Sequence, residues 1–230
     1  MVNFKYYEDR VDTDNLFRLE SEIERAKREI KKLKKIIEAP DYCSSRCPSE
    51  DAFLWMEQGV LHQAKEKYIS LGGVYFKDSE ELREEEFVDN LNNLVKIELV
   101  KQSFNSSKQR VTIILEEEKP KIYIDDCEFV PDKMFSCIFN KESIINLLKY
   151  YDIGAWKDFY SLEGYNMQIL DGEVWQVKFV FSKGEDRVCG GYCVYPWNFN
   201  DFLDCLGLMG KDFYLWRRRA SKICIQQRKR

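Results

Sequence analysis

Residues 171–206, DGEVWQVKFVFSKGEDRVCGGYCVYPWNFNDFLDCL, decide the fold class. Trp175, Val177, Phe179 and Phe181 alternate with Val174, Gln176, Lys178 and Val180. That period of two is the pattern of a strand with one buried face. Lys183-Gly184-Glu185-Asp186 turns the chain, and Val188 to Val194 returns as a second strand loosened by Gly190-Gly191. Pro196 ends it, because proline has no N–H to give to a sheet ladder. Asn198 or Asn200 is placed to cap a short helix whose apolar side is Phe199, Phe202, Leu203 and Leu206. A hairpin folded against a helix points to an α+β architecture.

Upstream, the same alternation recurs. Val95, Ile97 and Leu99 read as a strand, as do residues 111–115 and 121–124, with turns at Asn105-Ser106-Ser107 and residues 116–120. Asn140 caps a helix through Ile144, Ile145, Leu147 and Leu148. Trp156, Phe159 and Tyr160 lie in a segment too short to classify. Asp78-Ser79 opens an acidic helix with Glu80, Glu81, Glu84, Glu85 and Glu86 over Leu82, Phe87, Leu91 and Leu94, a charge placement that suits a helix start. The expected body is a mostly antiparallel sheet with helices on one face, spanning residues 75–210.

The first 74 residues have a different period. Val2, Phe4 and Tyr6 suggest a short strand. Leu16, Leu19, Ile23, Ala26, Ile30, Leu33 and Ile37 then step by three and four, a coiled-coil-like seam. Ser49 caps a second helix that Gly72-Gly73 stops, with Leu54, Leu61, Ala64, Tyr68 and Leu71 as its stripe. An antiparallel helical hairpin covers both stripes. Self-association of residues 14–38 as a parallel dimer is the alternative.

Composition narrows the class. The chain of 230 residues is 44% hydrophobic and 14% aromatic, enough for a packed core. No apolar run is long enough to span a bilayer, and MVNFKYYEDR lacks the character of a signal peptide, so a cytoplasmic protein is expected. In that compartment the eight cysteines are expected as reduced thiols, with Cys127, Cys137, Cys205 and Cys224 among apolar neighbours. The net charge of −4 is uneven: residues 211–230, a basic C-terminal helix or tail, carry +7 and leave −11 on the rest.

Asp171, Gly172, Trp175, Gly184, Tyr195, Pro196, Asn198 and Phe199, with Trp156 and Tyr160 upstream, form a pattern of their own. It resembles the C-terminal module of a group of uncharacterised Firmicutes proteins, in which an Asp-Gly turn and a tryptophan-led strand precede a Tyr-Pro-x-Asn-(Phe/Trp) helix start. The resemblance covers the second half of the chain and implies no activity. The Cys-Gly-Gly-Tyr-Cys return strand, residues 189–193, departs from it.

Catalytic motifs are sparse. His62 is the single histidine and has no nucleophile elbow to serve. Neither a P-loop nor a dinucleotide fingerprint occurs, so no cofactor is expected. Asp125-Asp126 reads as a turn rather than a metal site. Cys43, Cys47, Cys189 and Cys193 are four thiolates that zinc would suit. Their spacing is wider than a zinc ribbon's, and on an extended strand Cys189 and Cys193 stand ~13 Å apart. Incidental cysteines are the simpler reading, with a redox pair at Cys43 and Cys47 as a further alternative.

These observations favour a non-catalytic protein-binding module, an adaptor or an inhibitor that docks on a protein partner or nucleoprotein complex. A phage or mobile-element inhibitor of bacterial defence fits that description. The expected contact residues are Tyr195, Trp197 and Asn198 in the body and Lys31, Lys34 and Lys35 on the arm. The alternative is nucleic-acid binding through Arg217, Arg218, Arg219 and Lys222 in the C-terminal helix. An enzyme of unknown type comes third.

Overall fold

The computed structural model describes residues 4–44, 47–103, 108–116, 119–129, 140–165, 172–206 and 208. The segment 211–230, with Arg217, Arg218, Arg219 and Lys222, lies outside the described residues. The chain divides into two compact units, Met1–Asp78 and Ser79–Arg230. Helices and a mostly antiparallel sheet make it an α+β protein.

The first unit is helical: α1 (Phe4–Val11), α2 (Leu16–Ile37) and α3 (Glu50–Ser70). Asn15 caps α2 by accepting the Arg18 N–H at 3.1 Å, and Ser49 caps α3 by accepting the Ala52 N–H at 3.3 Å. Leu19, Ile23, Ala26 and Ile30 are buried, and this seam packs on α3 within the chain. The Lys67 ammonium on the last turn of α3 sits 3.0 Å from Asp14, just before α2, so the two helices run antiparallel. At the end of α3 the Gly73 N–H bonds the Tyr68 carbonyl and the Gly72 N–H bonds that of Ile69. Gly72, at φ +88°, supplies the left-handed residue this stop requires.

Two expectations need correction in this unit. Of the expected first strand, Phe4 and Tyr6 lie in the helix α1, and Val2 lies outside the described residues. Three alternating residues are a weak signal, and α1 is placed by Arg10, whose guanidinium reaches Glu22 at 2.8 Å and Glu57 at 2.7 Å. The core stripe of α3 is also different: Glu50, Leu54, Glu57, Val60 and Ala64 are buried. Glu57 occupies a core position because Arg10 brings the opposite charge to it. Burial alone would lower the Arg10 pKa, but the two carboxylates outweigh it and the ion stays charged. One nitrogen of Arg10 and one oxygen of Glu57 are buried without a hydrogen-bond partner.

The second unit begins with α4 (Ser79–Asn90) and a 3-10 turn, Leu91–Asn93. Four strands follow as a meander: β1 (Leu94–Ser103), β2 (Gln109–Ile114), β3 (Lys121–Ile124) and β4 (Cys127–Phe129). After α5 (Lys141–Tyr150) and the turn Ile153–Ala155 come β5 (Phe159–Tyr160), β6 (Glu173–Phe181), β7 (Arg187–Tyr192) and α6 (Phe199–Cys205). The sheet order is β4-β3-β2-β1-β6-β7-β5. Among the described residues only the pairing of β5 with β7 is parallel. The C-terminal hairpin thus docks against the first strand of the meander, with Leu99 opposite Val177 and Ile97 opposite Phe179.

Strand alternation sends Ile97, Leu99, Val111, Ile113, Ile122, Ile124, Trp175, Val177 and Phe179 to one buried face. Phe87, Leu91, Ile144, Leu148, Phe199 and Phe202 complete that core. Val174 and Val188, on the opposite parity, are exposed. Asn140 caps α5 by accepting the Ser143 N–H at 2.8 Å. Asp125 and Asp126, both at positive φ, form the tight turn between β3 and β4, and the Asp125 carboxylate accepts the Arg110 N–H at 2.9 Å. The short strands β4 and β5 had no legible period. Cys127, expected as a thiol, is in a disulfide; Cys43, Cys47, Cys189 and Cys193 are free.

Candidate functional site

The hairpin that opened the sequence reading builds an aromatic clasp. Trp175 is buried, and its indole N–H donates to the Val194 carbonyl at 2.8 Å. Gly191 makes that approach feasible: a Cβ there would stand 2.7 Å from both the indole nitrogen and the Val194 oxygen. The Tyr195 ring stacks on Trp175, with centroids 5.6 Å apart and planes at 17°. Its hydroxyl donates to Glu173 at the start of β6.

Glu173 collects further partners on the adjacent strand β1. Lys101 places its ammonium 3.0 Å from one carboxylate oxygen, and Ser103 donates to the other at 3.2 Å. The same ammonium lies 5.3 Å from the Tyr195 ring centre and 5.7 Å from that of Phe199. The Glu173 N–H points at the Cys193 sulfur, 3.2 Å away. Partial burial would raise the Glu173 pKa, but Tyr195 and Lys101 outweigh it and hold the carboxyl below its ordinary range. The Tyr195 phenol is pushed up, by burial first and then by the carboxylate it faces. The hydrogen bonds, the ammonium and the stacked rings form an ionic and aromatic lock between the start of β6, β1 and the residues after β7.

A second lock lies beside it. Asn198 is 0% exposed. Its carbonyl accepts the Trp156 indole N–H at 2.7 Å, and its amide donates to the Tyr151 carbonyl. It stands at the start of α6 but makes no cap bond there. Arg187 fastens the neighbouring segment by donating to the Trp156 carbonyl at 2.6 Å and pairing with Asp158 at 2.8 Å.

The expected contact residues therefore separate. Asn198 is corrected from a partner contact to an internal tie, since both ends of its amide are used within the fold. Tyr195 is half-buried in the clasp, and Trp197 is half-buried. On α2 in the other unit, Lys31 and Lys35 are exposed and Lys34 is half-buried. The cysteines divide likewise. Cys43 and Cys47 are exposed in the connection after α2. Cys189 is in the core, where burial pushes its thiol up to about 11. Cys193 lies past the end of β7 at φ +56°. Among the described residues no group of three or more His, Cys, Asp or Glu side chains is arranged to hold a metal. His62 is exposed and lies 3.4 Å from Glu66.

The sequence reading missed the exposed aromatics of the first unit. Phe17 is 76% exposed, Trp55 68% and Phe76 81%. Helix geometry held the signal: at ~100° per residue, Phe17 lies about 200° from Leu19 and Trp55 about 100° from Leu54. Both point away from the seam positions. Val74 and Ile69 are exposed as well, so the helical unit shows much apolar surface.

Comparison with known proteins gives no matching family, no similar curated protein and no similar solved structure. No helix among the described residues is long and apolar enough to cross a membrane.

Proposed function

We propose that the protein is a non-catalytic binding module, an adaptor or inhibitor, that docks on a protein partner through the outer face of its helical unit. The observation that supports this is the exposure of Phe17 and Trp55 on helices whose opposite faces are packed. A large aromatic in water is a poor use of a residue that contributes strongly when buried, and tryptophan is prominent among interface anchors. The clasp residues of the sheet unit support the same reading from the other side. Tyr195, Glu173, Lys101 and Asn198 are committed to each other and to the core, so the sheet unit serves as a rigid body.

The test is co-purification from the native host. The Phe17→Ala/Trp55→Ala double variant is expected to lose the proteins that accompany the wild-type chain. A Val174→Ser/Val188→Ser variant, altered on the sheet, is expected to keep them. Equal recovery with both variants contradicts the proposal.

A further inference from the structure

The outer face of α2 carries a second stripe that the packing of the helical pair does not use. Phe17, Ser21, Glu24, Arg28, Lys31 and Lys35 are all exposed and step by four and three along the helix. This repeat keeps them on one line, opposite the buried Leu19, Ile23, Ala26 and Ile30. Arg25 and Lys32 flank the line and are also exposed. Each pairs with a carboxylate one turn earlier on the same helix, Arg25 with Glu22 and Lys32 with Glu29, both at 3.5 Å. The stripe is polarised, with an exposed aromatic at its start and Arg28, Lys31 and Lys35 along its second half.

We infer that this stripe receives an acidic amphipathic helix of the partner protein, an inference that rests on the docking function above. A repeat of 3.5 residues runs along the helix axis, and another helix lying alongside at about 20° meets such a line over its whole length. From Phe17 to Lys35 the stripe is ~27 Å long, which matches a partner helix of about three heptads. Carboxylates at the same spacing face Arg28, Lys31 and Lys35, and an apolar side chain covers Phe17. Nucleic acid fits less well. A phosphate backbone is charged along its whole length and would meet Glu24 within the line and Glu20 beside it, whereas a partner helix carries carboxylates only opposite Arg28, Lys31 and Lys35 and an apolar residue opposite Phe17.

The experiment uses the full chain, isotopically labelled. It is titrated with a synthetic helical peptide of about three heptads, with Glu facing the basic half and Leu facing Phe17. A DNA duplex of similar length is the second probe. The peptide is expected to shift amide resonances of residues 17–35 and leave those of the sheet unmoved. The Arg28→Glu/Lys31→Glu/Lys35→Glu variant, its helix content checked by circular dichroism, is expected to bind about tenfold or more weakly. A peptide with Lys in place of Glu then recovers binding to that variant. Shifts from the duplex alone, no shift from either probe, or undiminished peptide binding by the variant each overturn the inference. If the variant keeps its co-purifying proteins while Phe17→Ala/Trp55→Ala loses them, docking stands and the acidic-helix assignment falls.

Discussion

The helical unit and the sheet unit each set a carboxylate against a cation at the edge of a core, and they finish the job differently. In the sheet unit both oxygens of Glu173 are engaged, by Tyr195 and Lys101 on one and Ser103 on the other. In the helical unit Glu57 and Arg10 pair closely, yet one polar atom of each is buried and unpartnered. The aromatics differ between the units, although Tyr150 and Phe159 of the sheet unit are exposed as well. Trp156, Trp175 and Phe199 are internal in the sheet unit, while Phe17 and Trp55 face solvent in the helical one. A sheet offers a broad face that takes in large rings. A helical pair offers a narrow stripe and leaves neighbouring positions outside. Arg83 and Arg187 of the sheet unit also bury a nitrogen without a hydrogen-bond partner, so the contrast lies in the exposed Phe17 and Trp55 rather than in how completely the buried ions are paired.

The largest effect is expected at the buried ion pair. Glu57→Ala leaves the Arg10 guanidinium with Glu22 as its remaining carboxylate and is expected to cost about 3 kcal/mol, the low end for breaking a buried ion pair. Urea unfolding followed by circular dichroism measures it. The double change Arg10→Met/Glu57→Leu removes both charges and is expected to come within about 1 kcal/mol of wild type or above it. A single change that costs no more than the double one breaks the comparison.

In the sheet unit Asn198→Ala leaves the Trp156 N–H and the Tyr151 carbonyl without their partner. Each orphaned group costs about 1–3 kcal/mol, read as a fall in the midpoint of thermal unfolding. Tyr195→Phe removes one hydrogen bond to a charged group and is expected to cost about 1.5 kcal/mol. Glu173 also gives the unit a pH signature. Its folded pKa is lowered, so its contribution is complete above the ordinary value near ~4.3 and is lost as pH falls toward the folded value. Glu173→Gln is expected to flatten that acid limb in a stability–pH series. The smallest effect belongs to the exposed aromatic: Trp55→Ala is expected to change stability by no more than about 0.5 kcal/mol.

What was legible in the sequence follows from how local each signal is. The seam of α2, the alternation of β6 and the caps Ser49 and Asn140 depend on neighbours in the chain, and all were readable. Glu57 in the core was not, because its counter-charge comes from Arg10, 47 positions away, on a helix that read as a strand. Asn198 looked like a cap because asparagine favours that position. Its actual partners, Trp156 and Tyr151, are brought to it only by the folded sheet unit. The Tyr-Pro-Trp-Asn stretch suggested a contact surface for the same reason: residue type is visible in a sequence, but the direction of a side chain after a turn is not. For Phe17 and Trp55 the helical angle was available and points outward.

The central claim is that contact is made by the helical unit's outer face. The most direct measurement places a photo-crosslinking amino acid at position 55 or, in a separate protein, at position 188 on β7, and irradiates living host cells. A discrete protein adduct from position 55, with little or none from position 188, is the result this account predicts. Adducts from position 188 alone, or none from either site, would contradict it.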